Sequence, residues 1–526
     1  FHITEMTQPQ GHSTSGSHER YKTPERLRFE TEGDPIARMR AWIIAQELAT
    51  AADLDAFEAE DRRAVEEIRA EAWEEYQAPL REDHARLVAL LERNSAASPD
   101  AGLDALLAEV RQPLELSRRL VVATARRALV ALRGESGDAK SELAAFTREL
   151  RAENDERFNS HLLSASPRAP GRIEPVEPHY SDASETVDGR LVLVRCFDAN
   201  LSRDPRIHII GEDIGKLGDV NLVFEGLQAK HGPLRLTDTG IREATIMGQG
   251  IGAALRGLRP IVDIQYVDYL LYALELASDD LATLRFRTAG AQQAPVVIRT
   301  KGHRLQGIWH TGSPMGVILS ALRGIHVAVP RNMVQAAGFY NTFLRGDDPA
   351  LVIEVLNGYR FKERVPDNVG EFTMPLGVPE TIREGSDVTL VTYGALCRIA
   401  LEASATLEEL GVSVEVIDVR TLLPFDTDGH IARSVARTGA LLVVDEDVPG
   451  GASAYLLQQI LERQRAYEHI DVSPRTLTAR PNRTGVGQDS DYFTKPGRED
   501  IVEAVYGLLR ERDPRRWPDL GLGDAE

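Results

Sequence analysis

The chain has 526 residues, a formal net charge of −20 and a pI near 5.2. Its length exceeds what one hydrophobic core usually supports, so about three domains are expected, and its acidity argues against nucleic acid or an anionic membrane as the main partner. Two distant cysteines, Cys196 and Cys397, no apolar run of membrane-spanning length and no signal pattern predict a soluble protein of the reducing cytoplasm. Because the sequence begins at Phe1 and not at Met, we expect an upstream part that is removed or supplied separately.

The first 163 residues are predicted to form a polar loop followed by helices. The loop contains Gly11-His12 and a run of hydroxyl residues, which can donate hydrogen bonds to a phosphate, although its composition alone favours a solvated tail. Asp34-Pro35 predicts a helix start, and Asp53 predicts a second one. Further helices are expected from Tyr76 to about Phe158.

The helix that starts near Asp53 is predicted to bury one apolar stripe. Its members recur at helical spacing and are Leu54, Phe57, Val65 and Ile68. Dense charge on the outer faces of this region indicates a scaffold with subunit contacts and not a site of chemistry. Residues 164–190, rich in Pro, Ser and acidic side chains, are predicted to be a linker.

From Leu191 onwards, apolar strands alternate with helices, which predicts an α/β fold with doubly wound parallel sheets. The first set is assigned to residues 191–370. Its strands are Ile207–Ile210, Pro295–Ile298, Gly324–Val329 and Leu351–Glu354, and the last of them is expected to close the sheet. Its crossover helices include Leu271–Phe286 and Met333–Leu344. The second set is assigned to residues 371–526; its strands are Val388–Thr392, Val414–Asp418 and Ala440–Val444, with helices from Ala395, Asp428 and Ala452.

The stretch from Leu236 to Tyr269 is predicted to be a helix, a turn and a buried strand, with Glu243 in the first helical turn. Small residues follow it, so another backbone or a flat ligand can approach closely. The carboxyl group is expected to be short of water, which raises the pKa of a glutamate. A simpler explanation is that an acid suits the positive end of the helix dipole and that small residues serve helix packing.

A dinucleotide-binding pattern, G-x-G-x-x-G/A, also occurs here, from Gly248 to Ala253, with Asp263 further on. That pattern indicates nucleotide binding only where it directly follows a strand and opens a helix. It falls inside the predicted helix, after Glu243, so a nicotinamide enzyme is disfavoured.

Two further positions are candidates for proton transfer. Glu212 follows the strand that ends at Ile210, and ligands of parallel sheets gather at such carboxyl ends. His310 stands in a glycine-containing loop, where a histidine with an ordinary pKa can act as acid or base near neutral pH. A solvated histidine is an equally good explanation of that position, and His303 and Arg304 are secondary candidates for binding a substrate carboxylate.

Several motifs resemble, in order and spacing, the beta subunit of thiamine-diphosphate-dependent 2-oxo acid dehydrogenases. They are Gly211-Glu-Asp-Ile-Gly215, Asp238-Thr-Gly-Ile-Arg-Glu243, Gly257-Leu-Arg-Pro260 and Trp309-His-Thr-Gly-Ser313. The resemblance covers roughly Leu191 to Gly507. The Gly-His-Ser loop and the helix at Asp34 resemble the end of the alpha subunit, so the chain is identified as the C-terminal part of an alpha subunit fused to a complete beta subunit.

This resemblance implies a transketolase-like fold, thiamine diphosphate as cofactor and a role for each matching residue. Glu243 would hydrogen-bond the aminopyrimidine ring, Tyr269 would stack on it, and His12 would lie against the diphosphate. Glu212 would relay protons, and His310 would help to transfer the acyl group to lipoamide. The implied partners are a 2-oxo acid substrate, the lipoyl domain of a dihydrolipoamide acyltransferase, and further chains in a homodimer or an α2β2-like assembly.

One motif of the family is missing. The family holds Mg²⁺ with Gly-Asp-Gly followed by Asn, whereas Asp219 and Asn221 lie too close together, so the metal ligands are expected outside this sequence. Pyruvate, branched-chain 2-oxo acids and 2-oxoglutarate all stay open as substrates. Two alternatives also remain: a transketolase-like carbon-unit transferase and a non-catalytic scaffold fragment.

Overall fold

The computed structural model describes residues 6–8, 18–302 and 309–521. The chain divides between Phe158 and Asn159 into two compact units, which are described separately. Within the described residues, no helix is long and apolar enough to cross a membrane.

The first unit is helical. Its α-helices are α1 (Pro24–Glu32), α2 (Pro35–Ala45), α3 (Ala51–Ala97), α4 (Asp104–Arg111), α5 (Arg118–Ala131) and α6 (Asp138–Asn159). Asp34 caps α2 as predicted. The cap of α3 is Thr50 and not Asp53, because Asp53 occupies the third helical position and completes a capping box with Thr50.

Helix α3 continues through Tyr76, where the sequence predicted a new helix to begin. Residues 76–97 are rich in Ala, Leu, Glu and Arg, which favour helix, and Pro79 is accommodated within the helix. The core of the unit is formed by the second half of α3 with α4, α5 and α6, around Leu87 and Phe146. The predicted stripe of α3 does not reach this core: Phe57, for example, is 58% exposed.

The second unit contains the β-strands. In chain order they are β1 (Thr186–Asp188), β2 (Ile207–Gly211), β3 (Leu236–Asp238), β4 (Arg259–Ile264), β5 (Val297–Gly302), β6 (His326–Ala328), β7 (Ala350–Val355), β8 (Lys362–Arg364), β9 (Glu380–Arg383), β10 (Val388–Thr392), β11 (Val414–Asp418), β12 (Thr421–Leu423), β13 (Leu441–Val444) and β14 (Arg475–Leu477). The central strands, such as β7, β10, β11 and β13, are buried along their whole length, which is the pattern of parallel strands covered on both faces. Strands β1, β8, β9 and β14 are partly exposed.

A seven-stranded sheet has the order β12-β6-β7-β5-β4-β2-β3 and is parallel except for β12, which is antiparallel to β6. The prediction that the strand at Leu351 closes this sheet is wrong. That strand, β7, lies between β5 and β6, and an edge is formed by β12, which arrives from much later in the chain. The doubly wound parallel sheet itself is confirmed.

A five-stranded sheet has the order β14-β13-β10-β11-β9, with the predicted strands β10, β11 and β13 at its centre. Only β9 runs antiparallel to its neighbour. A two-stranded ribbon pairs β1 with β8.

The α-helices of the second unit are α7 (Gly189–Arg203), α8 (Leu227–His231), α9 (Glu243–Leu255), α10 (Leu284–Arg287), α11 (Met315–Ala321), α12 (Met333–Arg345), α13 (Leu396–Glu409), α14 (His430–Thr438), α15 (Ala452–Leu457), α16 (Gln488–Thr494) and α17 (Arg498–Arg512). Helices α7 to α15 lie between these strands in the chain, and α16 and α17 follow β14. The predicted helix Leu271–Phe286 is instead a 3-10 helix (Val267–Ala273), a π-helix (Leu276–Ala282) and the short α10. Because the hydrogen-bond spacing of a 3-10 helix or a π-helix differs from that of an α-helix by only one residue, an apolar pattern does not distinguish these helix types.

Residues 164–190 lie along the second unit. The Ser164 backbone N–H donates to the carboxylate of Asp348, and the Val176 backbone N–H donates to the Thr373 hydroxyl at 2.8 Å. Although this segment is rich in Pro and Ser, hydrogen bonds to buried side chains fix it to the second unit.

Helix α9 offers a matched pair of glycines. A Cβ added to Gly250 would stand 2.2 Å from Val262 of β4, whereas a Cβ added to Gly252 would meet nothing within 4 Å. We expect Gly250→Ala to destabilise the protein by roughly 1–3 kcal/mol through overpacking. We expect Gly252→Ala to stabilise it by up to about 1 kcal/mol, since alanine favours helix. Urea unfolding of both variants checks this; equal effects would show that α9 does not pack on β4 as described.

Candidate active site

The candidate site lies at the carboxyl end of the seven-stranded sheet, where parallel sheets bind ligands. Glu212 directly follows β2, and Tyr266 and Tyr269 follow β4. Glu243 is the first residue of α9, after β3, and His310 lies between β5 and α11. Four connections of one sheet thus bring these side chains to the same edge.

Glu243 is partly exposed, and its carboxylate has no hydrogen-bond or ion-pair partner among the described residues. The expectation that this group is short of water stays a prediction, because its exposure in the described part of the chain is intermediate. The carboxylate does act on its neighbours: its charge helps to raise the pKa of Glu212 and the pKa of Tyr269. Its free acceptor oxygens point to a site that a ligand completes.

Glu212 is a partly buried carboxyl group surrounded by negative charge. Burial is the largest cause of its raised pKa; the charges of Asp213, Glu243 and Asp263 add to the effect, and Lys301 opposes it. A raised pKa means that Glu212 keeps its proton to a higher pH than an ordinary glutamate. This property suits a group that gives and takes protons near neutrality.

His310 is held by two tyrosines. The Tyr269 hydroxyl lies 2.9 Å from the Nε2 of His310, and the ring of Tyr266 lies 4.2 Å from the imidazole, centroid to centroid. Burial is the largest cause of a raised pKa in both tyrosines, so both hydroxyls stay protonated and can donate. The imidazole is thereby oriented by the two tyrosines and is only partly exposed.

The loop that carries His310 is anchored by Asp268, which is buried. Its carboxylate accepts a hydrogen bond from the Gly312 backbone N–H at 2.9 Å and pairs with Arg483 at 3.0 Å. A Cβ at position 312 would stand only 1.9 Å from the Asp268 carboxylate. Only glycine permits this close approach, which explains the glycine two residues after His310.

A group of fully buried charges, here called the charge cluster, lies next to this site; its members are Asp219, Asp263, Arg299, Lys301 and Glu354. The Arg299 guanidinium forms a two-pronged pair with Glu354, at 2.7 and 2.8 Å, and donates to Asp263 at 2.8 Å. The Lys301 ammonium donates to Asp219 at 2.7 Å and to Asp263 at 3.0 Å. Three carboxylates face two cations, so one negative charge is in excess.

Burial and pairing act in opposite directions in this cluster. Burial raises the pKa of Asp263, although Lys301 and Arg299 oppose the rise. The pKa of Asp219 is lowered, because the same two cations outweigh its burial. Taking such charges out of water costs several kcal/mol each, roughly, so the geometry of the pairs is essential to the fold.

Sequence reasoning missed the charge cluster, although a signal for it exists. Charged residues interrupt apolar strand sequences at Asp263 in Ile-Val-Asp-Ile, at Arg299 in Val-Val-Ile-Arg and at Glu354 in Val-Ile-Glu-Val. A buried strand tolerates a charge only where it is paired. Three such interruptions in neighbouring strands indicate that they meet.

The structure brings together Glu212, Glu243, Tyr269 and His310 of the predicted site residues. His12, His303 and Arg304 lie outside the described residues. The glycines of the dinucleotide pattern are inside α9, and Asp263 belongs to the charge cluster, as expected for a chance match. In the described ranges, no three His, Cys, Asp or Glu side chains are grouped so as to hold a metal ion.

Comparison with known proteins agrees with this geometry. Residues 185–360 match the family "Transketolase, pyrimidine binding domain", and residues 377–487 match "Transketolase, C-terminal domain". The chain is therefore a transketolase-like α/β protein of the kind whose pyrimidine-binding domain implies thiamine diphosphate.

Relatives define the family more narrowly. The chain is 35% identical over 317 residues to the pyruvate dehydrogenase E1 component subunit beta of Staphylococcus epidermidis, covering 59% of this chain and 95% of that protein. It is 33% identical over 254 residues to the 2-oxoisovalerate dehydrogenase subunit beta of Bacillus subtilis, covering 48% of this chain and 77% of that protein. The chain belongs to the thiamine-diphosphate-dependent 2-oxo acid dehydrogenase family. A solved split-gene transketolase is 20% identical to the chain with a TM-score of 0.49, covering 61% of this chain and 98% of that one.

Proposed function

We propose that the protein catalyses the oxidative decarboxylation of a 2-oxo acid and transfers the acyl group to the lipoyl group of an acyltransferase partner. The observation that carries this proposal is the meeting of Glu243, Glu212, Tyr269 and His310 at one sheet edge. Residues 191–370 would be the pyrimidine-binding domain and 371–526 the C-terminal domain, after an alpha-type region at 1–163 and a linker at 164–190.

The residues present suit the aminopyrimidine half of thiamine diphosphate. A carboxylate with free acceptor oxygens, Glu243, stands near the aromatic rings of Tyr266 and Tyr269. When bound, the cofactor supplies an electron sink that no side chain provides. In this arrangement Glu243 would accept a hydrogen bond from the pyrimidine, Tyr269 would pack against the ring and Glu212 would hold a proton nearby.

In the described ranges, no group of three His, Cys, Asp or Glu side chains could hold the metal ion that accompanies the diphosphate half. We propose that Mg²⁺ and the diphosphate are held by residues beyond these, with His12 as one donor. The relatives named above are beta subunits, which supports an assembly with other chains, as a homodimer or an α2β2-like complex.

Rates with a panel of 2-oxo acids test the proposal most broadly. The full-length protein, supplied with thiamine diphosphate and Mg²⁺, should decarboxylate pyruvate or a branched-chain 2-oxo acid with an artificial electron acceptor. It should also acylate a lipoyl domain. The preferred acid is left to this experiment, because one methylene changes discrimination by only about 1–3 kcal/mol.

His310→Ala should separate the two half-reactions. The imidazole is oriented by the Tyr269 hydroxyl, so we expect acylation of a lipoyl domain to fall by about 10²- to 10⁴-fold, the usual contribution of an acid or base. Decarboxylation with an artificial acceptor should fall less. His469→Ala, at an exposed histidine of the C-terminal region, is the matched control and should leave both rates unchanged. Equal rates of lipoyl acylation in wild type and His310→Ala would remove His310 from the mechanism.

A transketolase-like carbon-unit transferase is the second candidate, since both matched domains carry the transketolase name. Ketol transfer between sugars, without acylation of any lipoyl domain, would favour it.

A further inference from the structure

The charge cluster lies directly beneath the turn that carries Glu212. Gly211 pairs with Asp263 across β2 and β4, and a Cβ at Gly211 would stand 2.8 Å from the Cβ of Asp263. The same turn is closed from its other end, because the Asp219 backbone N–H donates to the Asp213 carbonyl at 2.7 Å. Glu212 is thus bracketed by two members of the cluster.

We propose that Asp263 and Lys301 are positioning residues for Glu212: they fix its turn and, through their opposite charges, set the pH at which it gives up its proton. This inference rests on the proposed function, in which Glu212 holds a proton beside the cofactor. Neither residue is placed in contact with substrate or cofactor, and both are fully buried.

Each element around Glu212 contributes a named charge. Asp213 acts from its own turn, Glu243 from α9, Asp263 from β4 and Lys301 from β5. The three acids raise the pKa of Glu212 and the lysine lowers it, after burial as the largest cause. Of these, Asp213 and Glu243 are open to solvent to some degree, whereas Asp263 and Lys301 act through a buried, poorly screened medium.

Asp263 is held by two cations, which oppose the effect of burial on its pKa and favour its charged form. Its oxygens receive hydrogen bonds from two cations, Arg299 at 2.8 Å and Lys301 at 3.0 Å. Glu354 belongs to the same cluster, but it stands on β7, which β5 and β4 separate from β2 and the turn of Glu212, and it pairs with Arg299. The two carboxylates therefore form a matched pair for an experiment.

The test measures the titration of Glu212 itself. In full-length protein labelled with ¹³C at the glutamate side-chain carboxyls, the signal of Glu212 is assigned by its loss in Glu212→Gln and followed with pH. In the wild type we expect a midpoint above that of an exposed glutamate. Asp263→Asn should move it down, because a negative neighbour is lost, whereas Glu354→Gln should leave it in place.

A double variant distinguishes electrostatics from loosening of the fold. Adding Lys301→Gln to Asp263→Asn removes the cation that lowers the pKa of Glu212, so the midpoint should move back up. A midpoint that does not respond to Asp263→Asn, or that falls further in the double variant, would overturn the inference. If the double variant does not fold, the comparison of Asp263→Asn with Glu354→Gln still decides.

The titration needs neither cofactor nor substrate. If the wild type decarboxylates 2-oxo acids but Asp263→Asn does not move the titration midpoint of Glu212, only this inference is overturned. A wild type without decarboxylation, in which Glu212 responds as stated, would overturn the proposed function and leave the electrostatic coupling standing.

Discussion

Glu243→Gln is expected to lower the rate of 2-oxo acid decarboxylation by about 10²- to 10⁴-fold, the usual contribution of a positioned acid or base. The amide keeps the volume of the side chain but loses the charge and the acceptor strength of the carboxylate. Among the described residues this carboxylate has no hydrogen-bond or ion-pair partner to lose, so the fold should stay cooperative. Turnover of the full-length protein with an artificial electron acceptor measures the effect.

A matched control is available in the C-terminal domain. Glu499 is also a glutamate in the first turn of a helix, α17; its side chain is 46% exposed and pairs with Arg498. Glu499→Gln tests what the loss of a first-turn acid does by itself, and it should leave turnover unchanged. If Glu243→Gln also left turnover unchanged, the simpler explanation would hold: Glu243 would serve only to stabilise the positive end of the helix dipole.

Arg299→Met is expected to destabilise the protein by roughly 3–5 kcal/mol, because it leaves buried carboxylates without their main cation. The guanidinium is the shared partner of Asp219, Asp263 and Glu354, and all four side chains are fully buried. Lys301 alone cannot serve all three acids. Urea unfolding measures the loss.

The pH dependence of this loss has a definite sign. Without Arg299 the buried carboxylates bind protons more tightly in the folded state than in the unfolded one. Such groups stabilise the fold at low pH and lose that contribution as pH rises through their folded pKa. The deficit should therefore be smaller in mildly acidic buffer than in alkaline buffer. Arg398→Met, which breaks the exposed pair with Glu402, is the control and should change stability little; a similar cost in both variants would contradict the account.

Local sequence was sufficient for the elements that carry the site. The helix beginning at Glu243 and the strand after Gly257-Leu-Arg-Pro260 follow from composition and spacing within about thirty residues. The motif around His310 was recognised, and the structure adds the partner that orients it, Tyr269.

Features that depend on distant pairing were not predictable in the same way. Strand β12 has three residues and joins the sheet through β6, nearly a hundred positions earlier, so no local pattern announces it. The charge cluster draws on four separate segments, and a charge within one apolar strand indicates burial but does not name its partner. The hydration of Glu243 stays a prediction, because it depends on what covers the N-terminus of α9 and not on the residues within the helix.

The most direct test of the central claim is a crystal structure of the full-length protein with thiamine diphosphate and Mg²⁺. We expect the aminopyrimidine ring beside Tyr269, in hydrogen-bond contact with the Glu243 carboxylate, and on the same side of the sheet as His310. A cofactor bound elsewhere, with the Glu243 side chain directed into solvent, would contradict the account.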